Sequence, residues 1–473
     1  MIRLAPKPNG NYRIAHQLEP IDSLIYTALI REVCEIIEEY RIPEAENIVC
    51  SYRIKPDMEG SFFSKDTGWE TFTSRTDELS EEFAEGYIIV ADITDYYNQI
   101  YTHRISSLIS EAGKGAYDEQ AKIIENFLLA MNRKTSRGIP VGPGPSIILA
   151  ELIMASIDNV ILSHMKNFVR YVDDIRIFFD NVEDAVKTLH ELTYYLYSYH
   201  RLVFSGEKTK ILRVKRFLEK YMVDEQKEEK TAIMARADEL ASEKMDELME
   251  NLPPYSDGFD YDEAYEETLK RILSEEQFEL LSHAYQELFE RALSRPRDYA
   301  LIRHVLRQAA RYRIRRLIPL VLDNFYQISP VIREAVIYLN AVINERVVKE
   351  NKDRFEKVFS HFYMKLPFIN LWISYLLQND SFNIIGLPTN YERIISTRGQ
   401  ALIALRRKDT TWVRGYRETI DLLGPWDKRA ALYSTLLLHI SEMRPLVQGI
   451  AASGDIIDKS IASFLLSQKK VSK

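Results

Sequence analysis

The twelve residues Phe168-Val-Arg-Tyr-Val-Asp-Asp-Ile-Arg-Ile-Phe-Phe179 constrain the fold more than any other stretch. The two arms are rich in aromatic and β-branched residues and predict a pair of short strands. Asp173 and Asp174 sit where the arms meet. A hairpin would hold both carboxylates at an exposed turn, backed by an apolar sheet. Paired carboxylates suit a hard divalent cation, which takes oxygen ligands, water and substrate phosphate. Asp-Asp is also an ordinary turn signal, so other parts of the chain must decide.

A third acid decides it. Tyr87-Ile-Ile-Val-Ala91 is a short continuous apolar run that predicts a buried strand and delivers Asp92 at its end. Two strands of one sheet can place Asp92 beside Asp173 and Asp174. Two Mg2+ ions (or Mn2+) between them would activate a hydroxyl and stabilise a leaving pyrophosphate. Phosphoryl transfer needs little beyond such positioning and charge neutralisation.

The rest of the chain sets the frame. At 473 residues, two or three domains are expected. A net charge of −8 rules out a globally basic nucleic-acid binder, so any such contact is local. Two cysteines, Cys34 and Cys50, leave no disulfide framework or cysteine-rich metal site and predict a reducing cytoplasm. The N-terminus has no apolar signal region. The apolar stretch Ile147–Leu162 is interrupted by Glu151 and Asp158, so it predicts a buried helix and no membrane span. Helical spacing marks 21–40, 95–109, 123–131, 147–166 and 182–200. Residues 138–146 form a turn-rich loop, and 202–212 read as strand, turn and strand. We expect an α+β unit over 1–220 and an acidic linker over 221–267. Residues 224–267 hold sixteen acids against four bases. An all-α, HEAT-like array without a clear repeat period would fill 268–473.

The motifs of the first 215 residues resemble the fingers and palm of the reverse transcriptases. Ala91-Asp92-Ile-Thr-Asp-Tyr-Tyr97 is similar to the first palm motif, and Gly138-Ile-Pro-Val-Gly142 through Ser146 to the second. Tyr171-Val-Asp-Asp174 matches the third, Gly206-Glu-Lys-Thr-Lys210 the fourth, and Pro6-Lys-Pro-Asn-Gly10 with Arg13 the fingers loop. The resemblance implies that Asp92 and Asp173 ligate metal, supported by Asp174 and the Ile93 carbonyl. It implies a dNTP site of Lys7, Arg13, Tyr97, Pro140, Gly142 and Lys208. Tyr97 would be the steric gate against a ribose 2′-OH.

Two departures narrow the resemblance. Val141 stands where the family usually has a Gln, and it cannot hydrogen-bond to a template. No basic thumb follows the fourth motif. With Tyr101-Thr-His103, this resembles the abortive-infection reverse transcriptases of bacterial phage defence. That subgroup implies untemplated DNA synthesis, a helical C-terminal domain, homo-oligomers, and priming by a tyrosine hydroxyl that stays joined to the DNA. The priming residue is not legible; Tyr12, Tyr255, Tyr261 and Tyr265 are candidates. The alternatives are a templated RNA-directed polymerase and a non-catalytic nucleic-acid-binding scaffold.

The helical half adds a basic ridge. Nine arginines and one acid, Asp298, lie between Arg291 and Arg316. Arg303, Arg307 and Arg311 share a helix face. They could track the phosphates of a single-stranded DNA product, or simply pair with the acidic linker.

Overall fold

The computed structural model describes residues 2–8, 10–57, 60–64, 66–219, 275–383, 395–416 and 419–468. The chain divides into two compact units: residues 1–3 with 14–227, and residues 4–13 with 228–473. The sequence assigns residues 4–13 to the fingers, whereas the division groups them with the helical half. The acidic stretch 221–267, with Tyr255, Tyr261 and Tyr265, lies outside the described residues.

A two-stranded hairpin opens the chain, β1 (Ile2–Pro6) and β2 (Tyr12–His16). Gly10, with φ +79°, closes its turn, where the Lys7 N–H donates to the Asn11 carbonyl at 2.7 Å. Helix α1 (Pro20–Tyr40) starts on a proline, whose missing N–H costs nothing in the first turn. It buries Tyr26, Ile30, Val33, Cys34 and Ile37. Then follow α2 (Trp69–Glu82), β3 (Tyr87–Ala91), α3 (Tyr96–Gln99), α4 (Thr102–Ala112), α5 (Asp118–Met131) and α6 (Gly144–His164). Strands β4 (Phe168–Tyr171) and β5 (Asp174–Phe179) form the expected hairpin, followed by α7 (Val182–Tyr195), β6 (Lys210–Arg213) and α8 (Val214–Phe217).

Two expectations are corrected. The helix expected over 95–109 breaks at Ile100-Tyr101, because Gly138 N–H donates to the Ile100 carbonyl and Tyr101 bridges to Arg137. A tertiary pairing overrides the helical pattern there. The strand expected near Leu202 shrinks to a single bridge between Phe204 and Ile93.

The sheet order is β4-β5-β3-β6, with all neighbours antiparallel. Alternation divides its side chains between two cores. Ile89, Ala91, Ile175 and Ile177 join α1, α4, α5 and α6 on one face. Ile88, Val169 and Phe178 meet Phe72, Leu79 and Phe217 on the other. Both faces are therefore covered, which explains the near-continuous apolar reading of β3 and β5. Helix α6 is long and apolar enough to cross a membrane, yet most of its apolar stretch is buried in this core.

The helical unit is a stack in which the helices Tyr299–Arg311, Ile332–Val342, Pro367–Leu376, Thr397–Arg407, Pro425–Ser434 and Ile456–Gln468 each pack on the next. Their starts recur at roughly thirty residues, a solenoid-like spacing. The sequence hid this period because the intervening helices vary in length. Two apolar clusters run through the stack.

Gly86 gives a direct test of the sheet. A Cβ there would lie 2.2 Å from the Phe179 carbonyl oxygen, so any side chain forces β3 away from β5. Gly86→Ala should lower stability by about 2 kcal/mol or more in urea melts, whereas Gly206→Ala, with open space around its Cβ position, should change it little.

Candidate active site

Register alone brings the acids together. Val90 faces Arg176 and Ala91 faces Ile175, so Asp92, next along the chain, comes level with Asp174 at the start of β5. Tyr171 faces Asp174 across the turn, with Val172 and Asp173 at its tip. The turn is half-buried rather than exposed, contrary to the sequence reading. Trp69, Phe72 and Tyr52 wall it in around the Tyr171 ring, at centroid distances of 5.3, 5.8 and 6.2 Å. Burial pushes the Asp173 carboxyl up to about 6, and the charge of Asp92 adds to the rise. Burial also raises Asp174, against the pull of Arg176.

The turn is strained and clamped. Val172 has φ +56°, a left-handed conformation that costs a β-branched residue on the order of 1–3 kcal/mol. Two groups hold it. Arg170 Nη1 donates to the Val172 carbonyl at 2.6 Å, and Val172 N–H donates to Ser51 Oγ at 3.0 Å. Arg170 is fully buried. Its guanidinium forks onto Asp158 at 2.7–3.1 Å and reaches Glu151 at 2.9 Å. Glu151 also accepts from Ser51 Oγ at 2.7 Å and from Arg41 at 2.8 Å. Burial would push the Glu151 carboxyl up, but Arg170 and Arg41 pull it further down. The acids that interrupt α6 therefore grip the turn that carries Asp173. The sequence marked them only as interruptions.

The other expected residues fall as follows. Tyr97 packs edge-on against Tyr96 at 5.7 Å, and its carbonyl accepts from Ile139 N–H at 3.0 Å, tying the first motif to the second. Burial, then the charge of Glu151, holds its phenol neutral, with Asp173 contributing. Pro140 is buried, and Gly142 sits exposed at φ +119°. Between them, Val141 N–H donates to His16 Nδ1 at 3.0 Å and its carbonyl accepts from His16 N–H at 2.8 Å. This role for His16 has no signal in the local sequence. Ile93 bridges Phe204 through bonds made by its neighbours (Thr94 N–H to Val203, Ser205 N–H to Asp92), which leaves the Ile93 carbonyl outside that pairing. Lys208 Nζ reaches both Asp92 oxygens, at 2.8 and 2.9 Å. Lys7 and Arg13 fall in the other compact unit.

The donors fit a hard divalent ion. Asp92, Asp173, Asp174 and the Ile93 carbonyl offer only oxygen, and the raised Asp173 carboxyl is a negative site that gains from a cation. Among the described residues no three His, Cys, Asp or Glu side chains make a ready-made metal cluster. Mg2+ does not need one, because it keeps several waters and binds through one or two carboxylates plus phosphate.

The reverse transcriptase (RNA-dependent DNA polymerase) family model matches residues 5–248, just over half of the chain. The chain belongs to the reverse transcriptase family. Reverse transcriptases are nucleotidyltransferases that use divalent metal ions and bind nucleotides and nucleic acid. No curated protein sequence is significantly similar to the chain. Among solved structures it is similar to the Candida albicans telomerase in complex with a fragment of telomeric RNA. The identity is 11% and the TM-score 0.33, over 74% of this chain and 62% of that one. The apo telomerase from Candida tropicalis is similar at 11% identity and TM-score 0.34, over 83% and 68%. The chain thus spans 62% and 68% of the lengths of these two telomerases.

Asp173 links the site to stability. Its rise from 3.8 to about 6 corresponds to at most about 3 kcal/mol of unfavourable charge. Below pH 3.8 the carboxyl is protonated in folded and unfolded chains alike, and it has no effect. As pH rises through about 6, the folded chain must ionise it in place, and stability is lost. Asp173→Asn should therefore raise the metal-free melting temperature at pH 7.5 and not at pH 3.5. Added Mg2+ should stabilise the parent protein more than the variant in the same melts.

Proposed function

We propose that this reverse transcriptase joins dNTPs into single-stranded DNA without a template. It starts from a protein tyrosine hydroxyl and acts as a homo-oligomer in phage defence in the bacterial cytoplasm. The observation that carries this reading is Val141. Its side chain offers no hydrogen bond to a template base, and its backbone N–H and carbonyl are both taken up by His16. A loop without a free polar group at that position favours synthesis that reads nothing.

In this reading the tyrosine hydroxyl gives up its proton to solvent water and its oxygen attacks the dNTP α-phosphorus. The bond to the β-phosphate breaks, and pyrophosphate leaves. Bound Mg2+ (or Mn2+) supplies the charge that lowers the hydroxyl pKa and neutralises the pyrophosphate. Asp92 and Asp173 hold the ions, with Asp174 and the Ile93 carbonyl in support. Lys208 gives up Asp92 in the loaded site and presents its ammonium to the departing pyrophosphate. Tyr97 closes the space a ribose 2′-OH would need, which selects dNTPs. Pro140 and Gly142 border the nucleotide, and Lys7 and Arg13 hold its phosphates. Tyr12, exposed on β2, is the one primer candidate within the described residues. Arg303, Arg307 and Arg311 on the helix Tyr299–Arg311 guide the product strand.

A second reading, templated copying of RNA, has the description of the matching family in its favour. Supplying each labelled dNTP to purified protein with no nucleic acid separates the two. Untemplated, protein-primed synthesis predicts label that follows the protein on a denaturing gel, is released by protease, and disappears in Asp173→Asn. Incorporation only after an RNA template is added would establish the templated reading instead.

A further inference from the structure

The helical unit contains a cavity of about 590 Å3 that polymerase chemistry does not use. Its lining includes Arg333, Trp372, Tyr375, Gln378, Arg398 and Trp426. Three adjacent helices of the stack supply most of it. Gly399 makes the close approach possible: a Cβ there would sit 2.7 Å from Ser374 Oγ and 2.6 Å from Ile395 Cγ2. Only a glycine lets Thr397–Arg407 settle on Pro367–Leu376 and bring Arg398 to the same opening as Trp372 and Tyr375.

The chemistry of the lining is specific. Trp372 and Tyr375 meet at 88° with centroids 6.2 Å apart, so they form a corner with two aromatic faces. Tyr375 is half exposed. The Arg398 guanidinium lies 5.7 Å from the Trp426 ring, while the Arg398 backbone N–H donates to the Asp427 carboxylate at 2.7 Å. The Trp372 and Trp426 indole N–H groups find no acceptor among the described residues, which leaves two donors for which the fold itself has no use. Arg333, at the rim, shares the buried Glu334 carboxylate with Arg303 and Arg307, at 3.5, 3.6 and 3.4 Å. One acid against three guanidiniums leaves excess positive charge running from the Arg303–Arg307 face to the cavity.

Aromatic faces flanked by arginines are what a nucleotide within a single strand needs: a π-face for the base and a fork for the phosphate. Pockets of several hundred cubic ångströms hold ligands of nucleotide size. We propose that this cavity binds one nucleotide of single-stranded DNA. The base would lie in the Trp372–Tyr375 corner, and the backbone phosphates would run over Arg333 and Arg398 toward Arg303 and Arg307. This rests on the reading that the chain handles single-stranded DNA, but not on how that DNA is primed or whether it is templated.

Photocrosslinking tests it. Full-length protein would be irradiated with a 4-thiothymidine-containing oligonucleotide of about ten nucleotides, within the length a single-strand site spans. Adducts would be mapped by mass spectrometry. The proposal predicts an adduct on the peptide holding Trp372 and Tyr375. Its yield should fall about tenfold in Arg333→Ala with Arg398→Ala, the loss of one stacked and phosphate-paired unit, and stay unchanged in Arg346→Ala. Exposed Arg333→Ala alone should show a partial loss even if the double variant folds poorly. Absence of that adduct, equal yields in all variants, or equal competition by dTMP or inorganic phosphate would overturn the proposal. Incorporation of dNTPs, measured on the same preparations, reports separately on the polymerase reading.

Discussion

The fully buried Arg170 guanidinium fixes the geometry on which the palm depends. It forks onto Asp158, reaches Glu151 and caps the Val172 carbonyl. Burying these charges is expensive, and the exchange of a buried ion cluster for apolar residues is often neutral or stabilising. Stability alone does not explain such a cluster here. Positioning does, because the cluster joins α6, β4 and the Ser51 segment to one turn and holds that turn in a conformation Val172 would otherwise avoid. Strain at Val172 and the raised carboxyl of Asp173 are two sides of one arrangement. The acid is kept half-buried beside Asp92, where its charge is unfavourable until a cation arrives.

Around that turn, other contacts tie the remaining motifs to the sheet. The Phe204 bridge and the Ser205 N–H bond to Asp92 bring the fourth-motif loop to the end of β3, and Lys208 covers the Asp92 carboxylate. The Gly138–Gly142 loop is bound at both ends, by Tyr97 and Ile100 on one side and by His16 on the other. A metal that takes Asp92 must therefore displace an ammonium.

Much of this was legible because it follows local pattern. The β4-β5 hairpin, β3 and the order of Asp92 before Asp173 all come from short-range periodicity. What the sequence concealed depends on long-range partners. Glu151 and Asp158 read as blemishes in an apolar helix, since nothing local shows that Arg170 points at them. The break at Ile100 depends on Gly138, nearly forty residues on. His16 meets Val141 across 125 residues of chain, which no local pattern shows. The Trp372–Tyr375 pair carries no motif, and the cavity beside it exists only because Gly399 lets the helix that holds Arg398 approach theirs. The repeat of roughly thirty residues is visible only once the helices are laid on one another.

The central claim is that the buried Arg170 cluster positions the metal-binding turn and does not merely hold the palm together. Mn2+ binding followed by electron paramagnetic resonance tests it most directly, in the parent protein and in Arg170→Lys. Lysine keeps a positive charge beside Asp158 and Glu151, but it cannot fork onto them and cap Val172 at once. We predict that the variant keeps its far-ultraviolet circular dichroism and binds Mn2+ about tenfold more weakly or worse, a loss of roughly 1.4 kcal/mol. A folded Arg170→Lys protein with parental Mn2+ affinity would contradict the account.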